Sequence, residues 1–214
     1  MLKSINGVRL VRYEAQFHAA QLYSWYYSDL YPEFYREFPS CPNSEEIASA
    51  AVGKAFMIVG PEGQNLGCIM HFQEDEFSRR FELAMLVDKQ FERQGVGLAA
   101  LKIFLNWKFN FCNLYKVKIN VVARNRRLCN ALETFGATQE GLLRKESFFD
   151  GEFHDIAAYA MFKTDFNRKY QHEFKSAGPR LDAPIVKDHG HGKIETEAVT
   201  ALSGATVRGA TAAA

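Results

Sequence analysis

The sequence predicts an α+β fold, a mixed and mostly antiparallel sheet flanked by helices, and three observations predict it. Runs with the two-residue periodicity of strands alternate with runs that repeat apolar residues at helical spacing. Two pairs of strand-like runs are joined by turn chemistry, Pro61-Glu62-Gly63-Gln64-Asn65 in one case and Asp150-Gly151, a strong hairpin signal, in the other. Between them, Glu92-Arg93-Gln94-Gly95-Val96-Gly97-Leu98 places two glycines where a strand hands over to a helix.

Taken in order, residues 7–13 alternate apolar and basic side chains as a half-exposed strand does, and 15–27 repeat apolar residues at helical spacing. Residues 29–38 are aromatic-rich and interrupted by Pro32, and Asn43-Ser44-Glu45-Glu46 is a helix-start signature ahead of 47–52, so two short helices are expected. Residues 56–59 and 66–72 form the first hairpin. After the polar stretch 73–80 another strand covers 81–87. A helix is expected over 98–111, a β-branched strand over 117–122, and a helix over 126–135 that stops at Gly136. Strands over 138–148 and 152–162 close the pattern. From Ser176 onward Gly, Ala and Thr dominate, too little apolar mass to build a core. The expected organisation is a domain over 1–170 and a tail over 171–214.

With 47% hydrophobic residues in 214, the chain can bury one substantial core. Lys plus Arg (26) and Asp plus Glu (25) nearly cancel, so no global field draws the protein to nucleic acid or to an anionic membrane, and a charged ligand must be met locally. Cys41, Cys68, Cys112 and Cys129 have no C-x-x-C spacing, and no apolar run is long enough to span a bilayer, so a cytoplasmic setting is expected. His71 and His154 have no second ligand at a useful spacing, and His189-Gly190-His191 lies in the tail. No metal is expected.

Gly95 and Gly97 at a helix start let the backbone curl round an anion while free N–H groups and the helix dipole face it, which suits a pyrophosphate. A dinucleotide fingerprint would need a third glycine at position 100, where Ala100 stands, and would come in the first βαβ unit, whereas several strands precede this loop.

The order strand, helices, hairpin, strand, glycine loop, helix, strand, Asn-headed helix, hairpin resembles the GNAT N-acetyltransferases, and within them the RimJ/RimL-like branch. The motif Glu-Ile-Gly-Tyr, a spacer and Gln/Arg-x-x-Gly-x-Gly/Ala is matched here by Glu82-Leu83-Ala84-Met85 and then Glu92-Arg93-Gln94-Gly95-Val96-Gly97. A second frame, Gln94-x-x-Gly97-x-Ala99, restores the glutamine but shifts the loop against the strand, so the first is preferred. The family's Asn followed by Gly-Phe is matched by Asn125 and Gly136-Ala137 at the same spacing. Glu140-Gly141, Asp150-Gly151, Asp155 and Tyr159 resemble its closing hairpin.

The resemblance implies a sheet splayed between its fourth and fifth strands and acetyl-CoA as co-substrate in the gap. Pantetheine would pair with the backbone near Leu86 and Val87, and pyrophosphate would lie on Arg93, Gln94, Gly95, Val96, Gly97 and Leu98, with Asn125 nearby. Glu82 would be the base that frees the acceptor amine of its proton, because direct amide formation needs a neutral amine. The acceptor would be a protein N-terminus or a small amine, attacking directly in a ternary complex. The expected partners are acetyl-CoA and that amine, with neither nucleic acid nor membrane, and the tail is the segment left for assembly with other copies.

The chain departs from the family in three places. Glu92 stands at the Gln/Arg position, next to the expected pyrophosphate. Leu132 and Leu128 stand where family members carry the Tyr or Ser that protonates the leaving thiol, which leaves Tyr159 or Cys129 to substitute. These departures define the alternative class, a GNAT-like structural or interaction protein without catalysis, such as a bacteriophage virion component.

Overall fold

In the computed structural model, which describes residues 6–27 and 44–175, strand β1 (Arg9–Arg12) leads into helix α1 (Ala15–Tyr26), and α2 (Ser44–Ala51) precedes the hairpin of β2 (Ala55–Val59) and β3 (Asn65–Asp75). Next come β4 (Arg80–Val87), α3 (Val96–Asn110), β5 (Lys116–Val122), α4 (Arg126–Phe135), the hairpin of β6 (Thr138–Phe149) and β7 (Glu152–Phe162), and α5 (Lys163–Lys175). The expected helix at 29–38 lies outside the described residues.

The seven strands form one sheet in the order β1-β2-β3-β4-β5-β7-β6, antiparallel except where β4 and β5 run parallel. Strand β2 is buried at every position, which is why Ala55-Phe56-Met57-Ile58-Val59 reads as a continuous apolar run rather than an alternation. On one face, α3, α4 and α5 cover a core that includes Phe81, Phe104, Phe109, Val117, Tyr159 and Phe166. On the other, α1 and α2 cover Met57, Cys68, Met70 and Leu86 with Leu22, Trp25 and Tyr26. The sheet is therefore a partition with different chemistry available on each side.

Local signals set the boundaries well where they are strong. Gly136 ends α4 at φ 108°, in the left-handed region that glycine adopts without strain. Three differences from the expected pattern stand out. Strand β3 runs on to Asp75, bent by a bulge in which Gln73 takes φ 45°. Helix α3 begins two residues earlier than expected, at Val96. Helix α5, for which no element was expected, continues through residue 170. Its Phe166, Tyr170 and Phe174 recur every fourth residue; Phe166 and Tyr170 are buried and Phe174 packs beside them. The Tyr170 ring stacks on Phe135 at 4.8 Å and its hydroxyl donates to the Phe135 carbonyl at 2.8 Å. No helix among the described residues is long and apolar enough to cross a membrane.

Candidate active site

The site starts where β4 ends. The Asp88 N–H donates to the Leu66 carbonyl at 2.8 Å, its carbonyl accepts from Phe91 N–H at 2.8 Å, and its carboxylate accepts from Gln90 N–H at 3.0 Å, so one residue both ends the strand and starts a 3₁₀ turn over Lys89–Phe91. The other carboxylate oxygen of Asp88 accepts from the Trp25 indole N–H at 2.8 Å, which ties α1 to this turn.

Beyond the turn, Arg93 (φ 63°) and Gly95 (φ 78°) both take left-handed conformations, and Gly95 caps α3 without any side-chain hydrogen bond. The first intrahelical bond is Ala99 N–H to the Gly95 carbonyl at 3.0 Å. The amides of Val96, Gly97 and Leu98 have no acceptor within the helix, so the N-terminus of this 15-residue helix presents donors and a partial positive charge. A Cβ at Gly97 would stand 3.2 Å from the Met85 terminal methyl and 3.4 Å from a Val87 methyl. Glycine there lets α3 start tight against the end of β4. Both reading frames of the motif converge on these amides.

Beside that loop the sheet comes apart. Strands β4 and β5 pair from Arg80 opposite Lys116 to Leu83 opposite Ile119 and no further. Residues 84–87 continue against β3, and residues 120–122 continue against β7. Leu86 and Val87 thus form one arm of a V. Gly67 on β3, where a Cβ would run into the Leu86 carbonyl and come within 2.9 Å of Val87 Cα, holds that arm close to its other neighbour.

Glu82 sits at the apex, one residue before the strands part, on the α1/α2 face. Its side chain is 20% exposed, and neither contact is short: Asn120 Nδ2 lies at 3.5 Å and Lys118 Nζ at 3.9 Å. A shallow recess beside it is lined by Gln73, Arg80, Phe81 and Lys118.

Tyr159 is not brought to Glu82. Glu82 lies opposite Lys118 and Lys118 opposite Ala160, whereas Tyr159 lies opposite Ile119, so its side chain leaves the other face of the sheet. It is buried beneath α4, where its hydroxyl donates to Glu133 at 2.9 Å. Burial, then the hydrogen bond to the Glu133 carboxylate, push the phenol up from its ordinary value, which makes it a weaker acid. Cys129 is buried beside it. Asn125 caps α4, its side-chain oxygen accepting from Leu128 N–H at 3.1 Å. The Glu92 carboxylate turns to α4 and pairs with Arg127 at 2.7 Å, so a cation accompanies the charge that the motif position leaves beside the loop.

Sequence reading missed Lys118 and Asn120 as the neighbours of Glu82, Gln73 as a lining residue of the recess, and Asp88 as the residue that shapes the loop. A signal for two of them existed, because Lys116, Lys118 and Asn120 are the polar half of an alternating strand otherwise made of buried Val117, Ile119 and Val121. His71 lies 3.0 Å from Glu74, whose other neighbour is Lys108 at 2.6 Å, at the end of α3 away from the loop. Among the described residues no group of three or more His, Cys, Asp and Glu could hold a metal ion.

Comparison with known proteins agrees with this geometry. The acetyltransferase (GNAT) domain family matches residues 8–138. Spermidine N(1)-acetyltransferase of Escherichia coli K12 is 24% identical over 130 residues, covering 61% of this chain and 68% of that protein. YdaF of Bacillus subtilis, named for ribosomal N-acetyl transfer, is 26% identical over 105 residues, covering 49% of this chain and 57% of its own length. The dodecameric spermidine N-acetyltransferase of Vibrio cholerae shares the fold, with a TM-score of 0.66 at 15% identity over 77% of this chain and 99% of that one.

Proposed function

Because this chain belongs to the acetyltransferase (GNAT) family, an acetyl-CoA-dependent class, we propose that it moves the acetyl group from acetyl-CoA to a primary amine by direct attack in a ternary complex. The observation that carries the proposal is Glu82: a largely buried carboxylate at the apex of the splayed strands, with no hydrogen-bond partner closer than 3.5 Å among the described residues.

In this reading the amides of residues 93–98 and the positive end of α3 hold the pyrophosphate. The backbone at Leu86 and Val87 pairs with pantetheine and polarises the thioester carbonyl, as donors do in acyl transfer. Glu82 accepts the proton of the incoming ammonium, and the freed nitrogen lone pair attacks the thioester carbon. The C–N bond forms as the C–S bond breaks and coenzyme A leaves as its thiolate. An ammonium and acetyl-CoA thus give an amide, coenzyme A thiol and one proton to solvent. The thiol has a reference pKa of about 8.5, so solvent suffices to protonate it, and Tyr159 is assigned no part.

The spacing of Glu82, Gly95, Asn125 and Gly136 supports a place in the RimJ/RimL-like branch, as does the similarity to YdaF. Calorimetric titration with acetyl-CoA tests the first half of the proposal, and no heat at millimolar ligand would sink it. Glu82→Gln tests the second. Acetyl-CoA affinity should be unchanged while turnover falls by about 10²- to 10⁴-fold, the usual contribution of a general base.

A further inference from the structure

The charged side chains on the acceptor side are not equally satisfied. On that face Arg80 stands opposite Lys116, and Glu82 opposite Lys118. Arg80 has the Asp75 carboxylate at 3.5 Å, and Lys116 is held by Glu140 at 2.7 Å. Lys118 differs: among the described residues its nearest carboxylate is Glu82 at 3.9 Å, beyond hydrogen-bond range, and its side chain is 35% exposed. Among the described residues the wall of the recess thus carries two cations, Arg80 beside its Asp75 partner and Lys118 with none in hydrogen-bond range, and the one carboxylate of Glu82.

An ammonium entering this recess meets the favourable charge of Glu82 and the unfavourable charge of Lys118, since Arg80 is offset by Asp75. A polyamine brings further positive charges and nothing to offset Lys118, whereas an amine with an anion beside it satisfies both partners at once. From this arrangement we infer that the acceptor carries an anionic group next to its amine, the amine meeting Glu82 and the anion meeting Lys118 with Arg80 behind it. The class comprises amino acids and peptide N-termini with an acidic residue in the first two positions. Lys118 is then the residue that selects the acceptor, and this inference rests on the acetyltransferase reading of the same site.

The test measures initial rates of coenzyme A release, with products confirmed by mass, for four acceptors: glutamate, a Ser-Asp peptide, the matched Ser-Lys peptide and spermidine. The purified full chain is compared with Lys118→Met and Lys118→Glu, each first shown by calorimetry to bind acetyl-CoA as the parent does. The expected kcat/KM is at least about tenfold higher for an anionic acceptor than for spermidine, the effect of one charge-assisted contact. Lys118→Met should bring the acceptors within a few-fold of each other, and Lys118→Glu should reverse the order. Glutamate outpacing the Ser-Asp peptide identifies a free amino acid as the source of the anion, and the opposite order a chain terminus. Spermidine as the best acceptor of the parent protein overturns the inference and leaves the acetyltransferase reading standing, as does an order that Lys118→Glu fails to change. Transfer to none of the four overturns both.

Discussion

Lys108 is a lysine with a side chain only 3% exposed, and removing its charge has consequences that can be worked out from its surroundings. Its Nζ lies 2.6 Å from Glu74 and 4.6 Å from the Trp107 ring centre, with the Phe81 and Phe104 rings within 6 Å. Breaking a buried ion pair by deleting one partner costs about 3–5 kcal/mol. In Lys108→Met the stranded partner is Glu74, which is 27% exposed and keeps His71 at 3.0 Å, so a loss of about 2–3 kcal/mol is expected. In Glu74→Leu the stranded partner is the more deeply buried ammonium, left with the His71 ring nitrogen at 3.4 Å and the aromatic rings, and the loss should be larger, about 3–5 kcal/mol. The double variant, with neither charge, should recover to within about 1 kcal/mol of the parent. At roughly 2–4 °C per kcal/mol for a chain of this size, Lys108→Met should melt about 4–12 °C lower.

Acid separates the contributions further. The His71 hydrogen bond, followed by that of Lys108, holds the Glu74 carboxyl at about 2 against an ordinary 4.5. A depressed carboxyl stabilises the fold fully above its unfolded value and progressively less as pH falls from about 4.5 towards 2. The gap between parent and Lys108→Met should therefore narrow over that range, since the variant keeps only the His71 share. Urea unfolding followed by the fluorescence of Trp25 and Trp107 at pH 7, 4 and 3 reads both effects. Equal stability of parent and Lys108→Met at pH 7, or a gap that does not change with acid, would refute the account.

Two further expectations concern the site. Trp25→Phe keeps a ring in α1 but removes the 2.8 Å bond to Asp88; about 1.5–3 kcal/mol of stability should go with it. Acetyl-CoA affinity should weaken a few-fold in calorimetry, and unchanged affinity would disconnect the turn from the loop. Tyr159→Phe should leave kcat within about twofold while lowering stability by about 1.5 kcal/mol, the low end for a hydrogen bond to a carboxylate because Glu133 is exposed; a tenfold fall in kcat would restore Tyr159 as an acid.

What could be read from the sequence was set by how local its cause is. Gly136 and Asn125 were legible because a helix cap is decided within a few residues. The Asp150-Gly151 turn was legible because two consecutive residues at positive φ, 53° and 78°, write their requirement into the chain. The opposite faces of Glu82 and Tyr159 were not, because they follow from the register of two ladders joining strands far apart in sequence. Several cations could be named as offsetting Glu92, but that Arg127, 35 residues on, is the one that takes it is decided by how α4 packs beside the loop. Helix α5 was hidden by its polar composition, although Phe166, Tyr170 and Phe174 carried its period. At β3 the bulge turns on Gln73 at positive φ, a conformation that glutamine does not announce.

The parting of β4 from β5 also bears on how long the protein lasts. A sheet opened at its centre gives up ladder bonds that a continuous sheet would have, and acetyl-CoA bound along residues 84–87 as proposed would take the place of the missing strand. Its binding free energy then adds to that of folding, by about 2.7 kcal/mol when the guest is a hundredfold above its dissociation constant. The melting curve becomes a gauge of occupancy. In a cell the same linkage makes resistance to proteolysis rise and fall with the supply of whatever fills the gap, so the domain would be most durable when it has work to do.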